Sequence, residues 1–232
     1  MALLCCLLWG SSYPAIKGGY ALFSIAQADL PGKLLFAGWR FVIAGLMVLA
    51  VCTWMGRPVL RSLRQYPQQL LGLGFAQTTL QYVFFYLGLA YTTGVKGSIM
   101  NATATFFSVL IAHWVFANDK LSSAKALGCA LGFAGVVAVT LGGGGELGDG
   151  FSWLGEGSVV LAALILAAAS IYGKQLSQRM DAMAMTGWQL GLGGVMLVLL
   201  GWVLGGSLPM PSFNALLLLA YLALLSAAAF TL

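Results

Sequence analysis

The sequence predicts an all-α membrane protein that crosses the bilayer several times, and three observations lead to this fold class. The 232-residue chain is 60% hydrophobic and only 7% charged. Its polar residues fall in short gaps between apolar runs, and each run is long enough to cross about 30 Å of hydrocarbon as a helix. A soluble domain of this size would instead place charges along one face of every helix.

The apolar runs are expected to be the membrane helices, and about eight are present. In chain order they are Ala2–Phe23, Leu34–Trp54, Leu70–Gly88, Gly97–Ala117, Lys125–Leu141, Gly155–Gln175, Met185–Leu204 and Ala215–Leu232. The last run stops without a polar flank, and a helix end left in lipid would have unsatisfied carbonyls. We therefore expect the sequence to be truncated at its carboxyl end.

The charges are distributed unevenly between the two sides of the membrane. The basic residues that follow the second, fourth and sixth runs are Arg57, Arg61, Arg64, Lys120, Lys125, Lys174 and Arg179. The opposite loops carry Asp29, Lys33, Lys96, Glu146, Asp149 and Glu156. Because basic loops stay on the cytoplasmic side, the amino terminus is predicted to be cytoplasmic in a cell-membrane protein. This pattern explains the net charge of +5 without a nucleic-acid partner.

The second and seventh runs resemble each other in register. Gly38-Trp39 matches Gly187-Trp188, and Gly45 and Met47 match Gly194 and Met196, at an offset of 149 positions (187 − 38). Chance similarity between two glycine- and leucine-rich helices is the alternative. A repeat that pairs the second run with the seventh contains five helices, and such an odd-numbered unit must be inverted in the membrane.

The predicted organisation therefore has two repeats of five helices. Residues 1–141 form the first repeat, 142–154 an external glycine-rich linker, and 155–232 a partial second repeat. The complete inverted repeat would have ten helices and about 290 residues. Inverted repeats of this kind are an architecture of membrane transporters.

Several segments together resemble the EamA-type transporters of the drug/metabolite transporter superfamily. The segment Trp9–Lys17 resembles the motif of that family's first helix, and Arg40 fits its second-helix arginine. Leu89–Val95 is similar to the junction before its fourth helix, and Asp119–Ser122 to the end of that helix. Gly128–Val139 resembles its glycine-rich fifth helix. The resemblance covers nearly the whole chain.

This resemblance implies ten helices, a central cavity between the repeats, and export or uptake of small metabolites. Two features depart from the family pattern. Thr105 or Phe106 stands near the place of the family's fourth-helix proline, and Asp119 replaces its glutamate.

Polar side chains inside the apolar runs are the candidates for contact with a substrate, because a polar group in lipid is costly unless it has a partner. Arg40 lies about seven residues into its run and either reaches outward or faces the cavity. Interhelical hydrogen bonding is the alternative role for the others. The predicted substrate-binding residues are Ser12, Tyr13, Arg40, Gln77, Gln81, Asn101, Thr105 and Ser170.

Other residue types indicate less. The lone histidine, His113, suits either a proton relay or a packing role. All six acidic residues lie in loops or at helix ends, which favours transport without a carboxylate relay. No cysteine spacing suits a metal, so neither a metal nor another cofactor is expected.

The sequence favours a secondary transporter that is embedded in the lipid bilayer. It would move amino acids, amines, nucleobases or drug-like compounds across the cell membrane by alternating access. A channel or a structural membrane protein is the alternative, and an intramembrane hydrolase is favoured less, since His113 is the only histidine available for a catalytic pair. A homodimer is a further expectation.

Overall fold

The computed structural model describes residues 15–16, 18–26, 29–142, 151–209 and 212–231. In these residues the regular structure is helical, with no strand. The helices are α1 (Leu30–Trp54), α2 (Val59–Gln65), α3 (Pro67–Leu73), α4 (Gln81–Tyr91), α5 (Gly94–Asn101), α6 (Thr103–Val115), α7 (Ser123–Gly142), α8 (Ser158–Leu176), α9 (Ala182–Val203) and α10 (Phe213–Thr231). Two π-helical segments, Gly74–Leu80 and Trp153–Gly157, lead directly into α4 and α8.

Five helical stretches of the described chain are long and apolar enough to cross a membrane. They are Leu30–Trp54, Pro67–Tyr91, Lys96–Val115, Trp153–Leu176 and Ala182–Val203. Two shorter apolar helices cover Ser123–Ala138 and Phe213–Ala228. These stretches coincide with seven of the eight predicted runs, and the all-α, multi-pass membrane fold is confirmed. The first run lies mostly outside the described residues.

The chain divides into two compact units. One contains the described residues of Met1–Thr79 and Gln175–Leu232, and the other is Leu80–Lys174. The division falls within the Pro67–Tyr91 span, so the two units do not follow the predicted repeat boundaries, which stay a prediction.

In the first unit, α1 and α9 pack together along a glycine seam. A Cβ atom at Gly45 would lie 2.7 Å from Gly191 Cα and 2.8 Å from Gly187 O. A Cβ atom at Gly38 would lie 2.9 Å from Gly194 O. Early residues of α1 thus meet late residues of α9, so the two helices are antiparallel. This is the orientation that a five-helix inverted unit predicts.

The contacts along this seam are also related by the offset of 149. Gly38 approaches Gly194, and the equivalent positions, Gly187 and Gly45, approach each other. Such reciprocal contacts are what a two-fold axis produces between two copies of one surface. The predicted match between the second and seventh runs is therefore visible in their packing.

The ends of α1 and α9 repeat the same turn. Gly56 follows α1 with φ +70°, and Gly205 follows α9 with φ +80°, again 149 positions apart. In both turns the residue after the glycine donates its N–H to the carbonyl five positions back, at 2.9 Å. Only glycine adopts this left-handed conformation without strain, so each glycine fixes where its helix ends.

A further helical stretch packs against each of α1 and α9. The stretch from α3 into its π-helical segment packs on α9, where a Cβ atom at Gly74 would lie 3.0 Å from Gln189 O. Helix α10 packs on α1, and the offset places it in the position equivalent to that stretch. The buried residues of this second contact form a cluster with the segment before α1: Phe23, Ile25, Phe36, Ala215, Leu219, Leu222 and Leu225.

The second unit contains its own close helix contacts. Gly88 of α4 lies against the start of α8, where its Cβ atom would be 2.8 Å from Gly155 O. Gly132 of α7 faces the ring of Phe106. A Cβ atom at Gly128 or Gly135 would meet no atom within 4 Å among the described residues. A packing seam along all three glycines of α7, which their spacing suggests, is therefore seen only at Gly132.

Candidate functional site

The fourth span is interrupted in its interior. Helix α5 ends at Asn101 and α6 begins at Thr103, both within the apolar stretch Lys96–Val115. The Ala102 N–H donates to Ser98 O at 3.3 Å and to Ile99 O at 3.2 Å, and Thr105 N–H donates to Ala102 O at 3.1 Å. The two bonds that reach three residues back tighten the helix at this point, while the bond to Ser98 O keeps the regular spacing of four residues. A tightened turn inside a helix often marks a functional hinge.

Asn101 stands at this interruption. Its side chain is half-buried, and its Oδ1 atom is enclosed without a hydrogen-bond partner in the described part of the chain. Thr103 next to it is satisfied, because its hydroxyl donates to Met100 O at 2.6 Å. Thr105, one turn further, is exposed. A buried acceptor without a donor is costly to a fold, so Asn101 is the stronger candidate for contact with a solute.

The third span carries the two predicted glutamines. Gln77 lies half-buried in the π-helical segment Gly74–Leu80, and Gln81 is buried at the start of α4. π-Helical turns occur frequently at functional sites. Sequence analysis did not single out Thr78 and Thr79, which are buried between the glutamines. The Thr79 hydroxyl donates to Gly193 O at 3.1 Å and so ties this span to α9.

Arg40 is buried within α1, where its guanidinium carbon lies 4.4 Å from the centre of the Phe41 ring. The equivalent position of the second repeat is Gln189, which is 3% exposed. The Gln189 Nε2 atom is enclosed without a partner among the described residues. The repeat thus places a long polar side chain in both seam helices, and only the match of Arg40 with Gln189 could have revealed this from the sequence.

The other predicted residues are less informative. Ser170 is exposed on α8. Ser12 and Tyr13 lie outside the described residues. Arg40 and Gln77 belong to the first compact unit, and Gln81, Asn101, Thr105 and Ser170 belong to the second.

Tyr86 is a further buried polar residue of the second unit, outside the predicted substrate contacts. It is almost fully buried in α4, with its ring 5.8 Å from that of Tyr82 between centroids. Its hydroxyl has no hydrogen-bond partner in the described part of the chain.

A buried ion pair is present where the sequence suggested loops. Lys96 Nζ lies 3.4 Å from Glu156 Oε1, and the two side chains are only 5% and 3% exposed. The Thr92 hydroxyl donates to the same Oε1 at 2.6 Å, and the Ser152 N–H donates to Oε2 at 2.7 Å. Lys33 is also buried, within the first turn of α1. Charged residues placed in loops by sequence are therefore enclosed at helix ends.

Other helix ends in each unit carry more exposed charges. Arg57 Nη1 donates to Asp181 Oδ2 at 2.7 Å, and Asp181 also caps the first turn of α9. Lys125 forms an ion pair with Asp119, and its hydrogen bond lowers the pKa of that exposed carboxyl. His113 Nδ1 accepts the Leu121 N–H at 2.9 Å, which fixes the turn after α6. This bond favours the packing role of His113 over a proton relay.

We also searched the described residues for side chains that could bind a metal ion. They contain no group of three or more His, Cys, Asp or Glu side chains that could hold a metal ion. Cys52 and Cys129 are free thiols.

Comparison with known proteins identifies the family. The sequence model described as "EamA-like transporter family" matches residues 1–141 and 153–232. The chain belongs to this family. The resemblance found in the motifs is thereby confirmed, and with it the assignment to a family of multi-pass membrane transporters.

Similar proteins come from bacteria, archaea and a plant. The "Uncharacterized transporter YvbV" of Bacillus subtilis is 29% identical over 201 residues, which cover 84% of this chain and 60% of that protein. An "Uncharacterized transporter" of Archaeoglobus fulgidus is 27% identical, with coverages of 83% and 62%. The "WAT1-related protein At3g02690, chloroplastic" of Arabidopsis thaliana is 25% identical, with coverages of 95% and 52%. The aligned chain thus spans about half to three fifths of each relative.

Proposed function

We propose that the chain belongs to a secondary transporter that moves small metabolites across the cell membrane by alternating access. Amino acids, amines, nucleobases and drug-like compounds are the candidate substrates. Membership of the EamA-like transporter family supports this proposal. The printed names of relatives from Bacillus subtilis and Archaeoglobus fulgidus, which call them transporters, agree with it.

The interrupted fourth span is the observation that carries the proposal. Asn101 presents an enclosed acceptor without a partner among the described residues, at the point where the helix tightens. A solute with an N–H or O–H group would satisfy it. In this proposal Asn101 is the central substrate contact. The remaining predicted contacts are Ser12, Tyr13, Arg40, Gln77, Gln81, Thr105 and Ser170.

The orientation and partners are part of the same proposal. The amino terminus is cytoplasmic, because the basic residues that follow the second, fourth and sixth runs then lie inside the cell. The partners are the small solute and the lipid bilayer, and the complete protein forms a homodimer or acts alone.

Transport by the full-length protein in lipid vesicles tests this function. Amino acids, amines, nucleobases and cationic dyes should be offered one at a time, with empty vesicles as the control. We expect saturable uptake of at least one solute, accelerated when unlabelled solute is preloaded on the opposite side. Non-saturable flux without such exchange would indicate a channel instead. Absence of flux for every solute would remove the support for a transporter of these compounds.

A further inference from the structure

The buried pair Lys96–Glu156 joins three segments of the second unit. Thr92 follows α4, Lys96 lies in the first turn of α5, and Glu156 lies in the π-helical turn before α8. Both oxygens of the carboxylate are occupied, Oε1 by Lys96 and Thr92 and Oε2 by the Ser152 N–H. One carboxylate therefore holds together the ends of the third, fourth and sixth spans.

The backbones at this point are also in close contact. A Cβ atom at Gly155 would lie 2.9 Å from Tyr91 O and 3.2 Å from Thr92 Cβ. Gly88, one turn earlier in α4, approaches Gly155 O and Val159 in the same way. These spans consequently meet without an intervening side chain, and water has little access to the ion pair.

A buried ion pair can form a contact that opens at little cost in free energy. Removing two charges from water costs about as much as their attraction returns, so a buried ion pair contributes little net stability. When the segments separate, both charges regain water, and little free energy is lost. An apolar contact of the same size would resist opening, because its surface would be exposed to water. An ion pair at a span end can thus alternate between a buried, closed state and a hydrated, open state of similar free energy.

We propose that Lys96, Glu156 and Thr92 form a latch that closes the ends of the third, fourth and sixth spans in this conformation and opens during transport. This inference rests on the proposed transport function, and the predicted orientation places the latch on the outer side. Opening the latch separates Thr92 and Lys96 from the Ser152–Glu156 turn, within which the Ser152 N–H keeps its bond to Glu156 Oε2.

Replacing the ion pair by apolar side chains tests the latch in the full-length protein. In the double variant Lys96→Met, Glu156→Leu the contact should stay closed, because opening would expose apolar surface. We expect a melting temperature in detergent equal to or above that of the wild type. Hydrogen exchange of the amides in 92–96 and 152–157 should slow at least tenfold in lipid nanodiscs, and transport should fall at least tenfold. The matched control is Lys125→Met, Asp119→Leu, which removes an exposed pair of the same unit; it should match the wild type in exchange of 92–96 and 152–157 and in transport.

Two results would overturn the latch. One is exchange in the wild type as slow as in the apolar variant, because the contact then does not open. The other is unchanged transport by a variant whose exchange has slowed. If the apolar variant does not fold, Lys96→Cys, Glu156→Cys replaces it, cross-linked by a short reagent that reductant cleaves. Transport should then stop on cross-linking and return on reduction, and continued transport would overturn the latch.

The exchange measurement also separates this inference from the proposed function. Fast exchange in the wild type that slows in the apolar variant supports an opening contact even where no offered solute is transported. In that case only the substrate classes of the proposed function fail.

Discussion

Two polar residues inside the apolar spans differ in one respect that decides their roles. The Thr79 hydroxyl donates to a backbone carbonyl of α9, whereas Asn101 Oδ1 is enclosed without a partner in the described chain. Removing a satisfied group loses its hydrogen bond, but removing an unsatisfied acceptor relieves a desolvation cost. The structure therefore assigns Thr79 to helix association and leaves Asn101 available to a solute.

The pair of variants Asn101→Ala and Thr79→Val checks this distinction in the full-length protein. We expect Asn101→Ala to reduce uptake of the transported solute at least tenfold without lowering the melting temperature in detergent. Thr79→Val should retain uptake but melt earlier, by the equivalent of about 0.6 kcal/mol, the average for such a bond within a membrane. Normal uptake by an Asn101→Ala protein that melts much earlier would show that Asn101 is a structural contact.

At the scale of helices, the sequence predicted where the membrane helices lie better than it predicted the irregular segments within them. Runs of apolar residues located seven of the eight expected helices, because spanning lipid requires length and hydrophobicity that composition reveals directly. The interruption at Ala102 and the two π-helical segments were not predicted, since no proline or glycine marks the break at Ala102. The residue match related the second run to the seventh, but it did not show which glycines meet the neighbouring helix, because contacts depend on the helix faces that pack together.

Substitution of seam glycines should therefore have graded effects on stability. Gly45→Ala would place a methyl group against backbone atoms of α9, which side-chain rotation cannot relieve. We expect a large loss of folded full-length protein in detergent. The Cβ atom of Gly132→Leu would meet the Phe106 ring, which can move, so this overpacking should cost less. The control is Gly72→Ala, where no atom lies within 4 Å; it should melt at the wild-type temperature or slightly above. Equal melting of Gly45→Ala and Gly72→Ala would contradict the close packing.

At the scale of the whole molecule, a few identical residues predicted the inverted relation of the second and seventh runs. The structure adds their antiparallel packing, their reciprocal glycine contacts and equivalent helix-ending turns at the same offset. The burial of Lys96 and Glu156 was not predicted, because charged residues beside a span are ordinarily hydrated. Which helices surround a solute also depends on tertiary arrangement, so the site remains a proposal.

Accessibility of position 101 tests the account most directly. A full-length protein with Asn101→Cys as its only cysteine should be treated with a thiol reagent that cannot cross lipid, in right-side-out and in inside-out vesicles. We predict labelling of this cysteine from both sides of the membrane. A further variant that adds Lys96→Met and Glu156→Leu to Asn101→Cys should lose labelling from the outside while keeping it from the inside. Absence of labelling from either side in the single variant would contradict a substrate path at the interrupted fourth span.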